Sequence, residues 1–218
     1  MNAKRFTRRI ARLLAVSLLA LSLLSCGSSG APVFADLDFT AIDAAKATET
    51  NNVTDYVKIT VAEYGDIIIR LYPEVAPKTV ENFQMLVSQG FYDGLTFHRV
   101  IETFVIQTGD PNGDGTGGSE QTIKGEFRLN GFENNLKHIR GVVSMARLGA
   151  DMNSASSQIF ICHQSNAQTS GLNGKYAGFG YVVSGIEVVD KIAKVATDSS
   201  DKPLTDVVIE KACFVNAE

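Results

Sequence analysis

Metal ligands and thiols are scarce in this chain. Its 218 residues include three histidines, three cysteines and no tryptophan. His98, His138 and His163 have no partner His or Cys at the short spacing that zinc sites use, which argues against a metal centre. Hydrolytic machinery is missing too. Ser144 in "GVVSMAR" lacks the Gly-x-Ser-x-Gly turn, and no Asp–His pair marks a triad. The longest charge-free apolar run, "LLAVSLLALSLL" at 13–24, is 12 residues, short of the ~20 that span a bilayer as a helix. No internal repeat is present.

What the N-terminus does hold is a targeting layout. Lys4, Arg5, Arg8, Arg9 and Arg12 precede that run, and "LLSCG" follows it. This is the order of a secretory signal peptide, and the small Ser25 before Cys26 resembles a bacterial lipobox. The expectation is a signal over 1–25, lipid on Cys26, and an extracytoplasmic protein anchored by that lipid to the bacterial cell membrane or envelope. Without residues 1–25 the chain has 15 basic against 24 acidic side chains, net −9. Such a surface excludes nucleic acid and a polybasic membrane patch as partners. Cys162 and Cys213 lie in apolar stretches and read as buried free thiols.

Residues 26–52, with the lipidated Cys followed by a Ser-, Ala- and Thr-rich stretch, read as a flexible linker with transient helix near 41–47. A single domain over 53–218 follows. "DYVKITVAEYGDIIIRLY" predicts two strands joined at Tyr64-Gly65. "APKTVENFQMLVSQG" predicts a helix with Pro77 in its first turn, a Val80–Phe83–Val87 stripe and a stop at Gly90. Further strands are expected at 97–101, 104–107, 142–146, 158–162, 179–184 and 206–215, and a second helix at 186–195. Many short strands with two helices point to a β-barrel or sandwich with covered ends.

Two loop motifs fall away on inspection. "DPNGDGTGGSEQ" (110–121) opens like a calcium loop, but its twelfth position is Gln121 rather than a bidentate Glu. No Gly-Lys-Ser/Thr follows its glycines, so it is no phosphate loop. It reads as a tight surface loop beside a site.

The informative stretch is "FHRVIETFVIQTGD" (97–110), strand-like material that puts Arg99 and Gln107 on one face of a greasy wall. A chain with one fixed cation, one amide and an apolar wall, but no nucleophile or metal, suits rotation about an Xaa–Pro bond. That barrier is ~18–20 kcal/mol, and a catalyst need only bind the twisted amide better than either planar form.

"FHRVIETFVIQTGDPNGDGTGG", "GEF", "GVVSMAR", "SASSQIFI" and "LNGKYAGFG" occur in the order and spacing of the cyclophilins. The chain is thus similar to a cyclophilin-type peptidyl-prolyl cis–trans isomerase over roughly 56–216. The resemblance implies a mainly β fold: a closed eight-stranded antiparallel β-barrel capped by two α-helices, with an external groove. It gives Arg99 as the catalytic arginine, Gln107 as the glutamine that helps hold the substrate backbone and orient the arginine, and Phe104 and Phe160 as catalytic pocket walls. Val105, Ala146, Arg147, Leu172 and Tyr176 would bind substrate. Phe104 is out of pleat phase with Arg99 and Gln107, so a turn or bulge is expected near Glu102-Thr103.

This family needs no cofactor, so none is expected. The expected partners are proline-containing unfolded or extended polypeptides, bound by a monomer. Val105 replaces a common Met, Tyr176 a frequent His, and Gly171 a common Trp. The last of these implies weak binding of cyclosporin, the family's cyclic-peptide ligand. The alternative reading is a proline-peptide binding module or holdase without turnover.

Overall fold

The computed structural model describes residues 34–217. The expected signal segment and Cys26 lie outside them. Among the described residues nine strands form one antiparallel sheet. They are β1 (Thr48–Thr50), β2 (Tyr56–Val61), β3 (Gly65–Leu71), β4 (Arg99–Val100), β5 (Val105–Thr108), β6 (Val142–Met145), β7 (Ile159–Cys162), β8 (Gly178–Ser184) and β9 (Ile209–Asn216). The spatial order is β1-β9-β2-β3-β8-β6-β7-β5-β4. The ladder is therefore a run of nine strands, one more than the eight expected. β1 is the extra strand.

β2 shows why the pattern was readable. Val57, Ile59 and Val61 point inward in strict alternation while Tyr56, Lys58 and Thr60 stay half-buried. In β3, Ile67, Ile68 and Ile69 are all buried, because Ile67 and Ile69 face the main core while Ile68 packs with Val183 and Val215 behind the sheet. Phe83, Tyr92, Phe97, Phe127 and Phe179 fill the same main core.

Among the described residues three α-helices appear where two were expected. α1 (Pro77–Ser88) has Pro77 in its first turn and buries Val80, Phe83 and Val87. Its N-cap residue, Ala76, has no polar side chain to offer. The buried Glu126 carboxylate supplies the cap from afar, accepting the backbone N–H of Lys78 (3.0 Å) and Thr79 (2.8 Å). α2 (Ala167–Ser170) is a single turn held by an Asn166/Thr169 capping box, too short and polar for any periodicity to show. α3 (Ile186–Ile192) buries Val188, Val189 and Ile192 and stops three residues before the predicted Val195.

The expected flexible linker is corrected from residue 34 onward. Phe39 packs edge-on against Tyr181 (4.7 Å) and Tyr72 (5.9 Å), and Asp38 pairs with Arg70. A 3-10 turn at Ala44–Lys46, capped by Asp43, stands where transient helix was expected. β1 then adds to the sheet edge, Thr48 opposite Asn216 and Thr50 opposite Phe214. Glu49 accepts from both Lys58 (2.7 Å) and Lys211 (2.6 Å), and these two ammonium groups hold its carboxyl down at about 2. The strap escaped notice because "TET" carries no apolar alternation; two anchoring aromatics and ion pairs hold it instead.

Both cysteines among the described residues are free. Cys162 is buried, which pushes its thiol up to about 12. Cys213 is only half-buried, against expectation. No described helix is long and apolar enough to cross a membrane.

Candidate active site

β4 and β5 form a tight hairpin in which Arg99 sits directly opposite Gln107. The strands reverse over 101–104: Phe104 N–H donates to Ile101 O at 3.0 Å, and Thr103 takes a left-handed φ of 68°. The expected break in the pleat is thus a turn at Thr103. One strand further on, Gln107 pairs with Phe160 of β7, and Phe160 with Ser144 of β6. Arg99, Gln107, Phe160 and Ser144 form a straight row of cross-strand partners, so they share one face of the sheet.

A cavity of about 190 Å³ opens over this row. Arg99, Gln107 and Phe160 line it from the row. Phe104 and Val105 come from the hairpin, Ala146 and Arg147 from the end of β6, and Leu172 and Tyr176 from the loop after α2. All nine residues singled out from the sequence are its lining. Its apolar part is one cluster, with Val105, Phe160 and Cys162 buried and Phe104, Ala146, Leu172 and Tyr176 packed on them. Tyr176 meets Phe160 edge-to-face at 5.8 Å. This is a greasy slot with a guanidinium and an amide on one rim.

The family model described as cyclophilin type peptidyl-prolyl cis-trans isomerase matches residues 56–213. This chain belongs to that family. The cyclophilin is 46% identical over 149 residues to the peptidyl-prolyl cis-trans isomerase ppi1 of Schizosaccharomyces pombe, an alignment covering 68% of this chain and 92% of that one. It is 49% identical over 146 residues to CYP71 of Arabidopsis thaliana, covering 66% of this chain but only 22% of that longer protein. Among solved structures, a Cryptosporidium parvum cyclophilin determined in the presence of the dipeptide Ala-Pro superposes with a TM-score of 0.66 at 32% identity. That match covers 73% of this chain and 98% of that one.

The geometry corrects one expectation about the cyclophilin's site. Gln107 does not reach for the arginine. Its Nε2 donates to Gln158 Oε1 at 2.8 Å, and Gln158 Nε2 donates in turn to Gly117 O (2.7 Å) and Gly115 O (3.1 Å). This relay fixes which end of each amide points where. Gln158 was missed from the sequence; its place next to "IFIC", beside a strand that carries Phe160, was the available signal. Gln107, Ala146 and Arg147 also line a second cavity of about 290 Å³, whose other wall is the 115–119 loop. That loop is organised internally: the buried Asp110 carboxylate accepts the N–H groups of Asn112 (2.8 Å), Asp114 (3.1 Å) and Gly115 (2.5 Å). The carboxylate that would open a calcium loop is spent on the backbone.

Arg147 is fastened rather than free. Its guanidinium stacks over Tyr176 (4.8 Å) and Phe127 (5.1 Å) and donates to the carbonyls of Leu148 (2.8 Å), Gly149 (3.1 Å) and Lys175 (3.1 Å). Gly171 does not line the slot. It is the C-cap of α2, where an added Cβ would lie 3.1 Å from Gln168 O.

Beneath the row, His138 Nε2 lies 2.9 Å from Ser144 Oγ and Nδ1 lies 3.1 Å from Asn173 Oδ1. With that oxygen as acceptor, Nδ1 carries the proton and Nε2 accepts from the serine. Burial pushes the imidazole down to about 4, so it is neutral. The trio has hydrolase ingredients, but Ser144 and His138 are fully buried behind Phe160, out of reach of any carbonyl. Its work is support: the imidazole stacks on Phe160 at 5.9 Å. His98 is buried as well, with both ring nitrogens unpartnered among the described residues. Burial lowers its pKa, and it backs the sheet rather than entering the slot lining.

Proposed function

We propose that this cyclophilin accelerates cis–trans rotation about Xaa–Pro bonds in extended polypeptides outside the cytoplasm, held at a membrane by lipid on Cys26. The observation that carries the chemical part is the row of Arg99, Gln107 and Phe160 beneath one apolar slot. A proline ring enters against Phe160, Phe104 and Leu172 and is dehydrated there. Gln107, oriented by Gln158, grips a carbonyl of the segment. As the amide twists, its nitrogen loses conjugation and gains lone-pair density, which the Arg99 guanidinium, a donor already in place, stabilises by a hydrogen bond. No bond is made or broken, so the residues need only favour the twisted amide. The adjacent 290 Å³ cavity takes a neighbouring substrate residue.

The hydrogen bonds Gly94 N–H to Ile209 O (2.8 Å), Ile209 N–H to Leu95 O (2.8 Å) and Phe97 N–H to Val207 O (2.9 Å) join the β4 side of the ladder to β9. They support a reading in which the sheet closes on itself as a barrel, with β1 added outside. The signal-like layout and "LLSCG" support the anchored location, and seven residues separate Cys26 from Phe34, where the described structure begins. Monomeric action and weak cyclosporin binding, from Gly171 in place of an indole, complete the reading. The test is turnover of a proline tetrapeptide by residues 34–218, wild type beside Arg99→Ala. Binding of the peptide without turnover would replace the isomerase by a holdase. Mass spectrometry of the mature chain, finding Cys26 unmodified, would remove the anchor.

A further inference from the structure

We infer that Asp201 is a positioning residue for Arg99: its carboxylate pairs with the guanidinium on the Nε side and leaves both terminal nitrogens for substrate. The inference rests on the isomerase reading above. Asp201 Oδ2 lies 3.5 Å from Arg99 Nε, and among the described residues it is the one acidic partner of that side chain. Gln107, the cross-strand neighbour, makes no hydrogen bond to that guanidinium; its Nε2 donates to Gln158. An arginine on a two-residue strand, 40% exposed, otherwise samples many rotamers.

The carboxylate arrives on a purpose-shaped loop between α3 and β9. Asp198 accepts the N–H groups of Ser200 (2.8 Å) and Lys202 (3.0 Å), and its own N–H donates to Lys202 O at 2.8 Å. Lys202 Nζ reaches across to Gly113 O at 3.1 Å and ties this loop to the 110–118 loop. Val100 N–H donates to Asp201 O at 2.8 Å, so the backbone of Asp201 is pinned one residue from Arg99. Asp201 pays for this placement with a left-handed φ of 64°, a conformation that among residues with a Cβ suits Asp and Asn best. A half-exposed ion pair adds little to stability. Its effect belongs in the rate, through the geometry of the donor.

Asp201→Asn keeps the left-handed backbone and removes the charge. The expected result is kcat lowered roughly 3- to 10-fold, KM changed less than about twofold and an unchanged melting temperature. In an Arg99→Ala background the same substitution should have no further effect, because nothing is left to position. Raising salt should narrow the gap between wild type and Asp201→Asn. An equal loss in both backgrounds would make Asp201 merely structural and overturn the inference. So would an unchanged or raised kcat, the latter meaning that the carboxylate mainly weakens the guanidinium's field. A wild-type chain without turnover would instead overturn the isomerase reading, and this inference with it.

Discussion

The slot has two walls built in different ways. One is the strand row Arg99–Gln107–Phe160–Ser144, held by backbone ladders on four neighbouring strands. The other is loop: Arg147, Leu172 and Tyr176 facing it, with the 110–118 loop lining the adjoining cavity and Asp201 beside Arg99, held by side-chain hydrogen bonds, an ion pair and ring contacts. Strand pairing fixes the backbone positions of this wall without the help of particular side chains, so the groups that meet the amide start from set Cα positions. Loop contacts depend on the identity of each side chain, so that wall can set peptide preference while the first stays unchanged.

Breaking the strand wall should have the largest effect. Phe160 is buried between His138 and Tyr176. Phe160→Ala should cost about 3–5 kcal/mol of stability and abolish most turnover. Chemical denaturation beside a peptide assay checks both, and a loss of neither would mean that the row does not bear the slot.

The support beneath that wall predicts a pH dependence. His138 is held neutral, at about 4 in the folded chain against an ordinary value near 6.5. The unfolded chain binds the proton first, so this contribution is whole above about pH 6.5 and is lost as pH falls towards 4. The full loss is roughly 3 kcal/mol. Stability measured from pH 7 to 4 should fall accordingly, and His138→Gln should flatten that part of the curve.

Gln158 joins the two walls, and its loss should sharpen the contrast between them. Gln158→Leu frees Gln107 and the 115–117 loop together, removing about one neutral hydrogen bond's net contribution at the site. Catalytic efficiency should drop roughly 3- to 10-fold. If the strand wall needs no help from the loops, the drop will not be seen. The Asp201→Asn cycle probes the same junction from the other side of Arg99.

The sequence made the strand wall legible and most of the loop wall's supports illegible, for a physical reason. Arg99, Gln107, Phe104 and Phe160 stand in short windows where period-two alternation and one resemblance assign each a face. Arg147, Leu172 and Tyr176 were reachable only through that resemblance. Asp201, Gln158 and the His138–Asn173 pair act across 102, 51 and 35 residues of chain. No local pattern records such contacts. Glu126, capping α1 from 47 residues away, is the same case in the fold. β1 failed differently: its three residues are polar, and ion pairs at the sheet edge do what apolar alternation does elsewhere.

The most direct test of the account is Arg99→Ala, assayed for proline-peptide isomerisation and for peptide affinity on the same folded protein. Removing one preorganised donor should lower catalytic efficiency about 100- to 1000-fold, ~2.7–4 kcal/mol, while the apolar slot keeps most of its affinity. Near-wild-type turnover in the folded variant would contradict it, since Arg99 is the one cation on the strand wall.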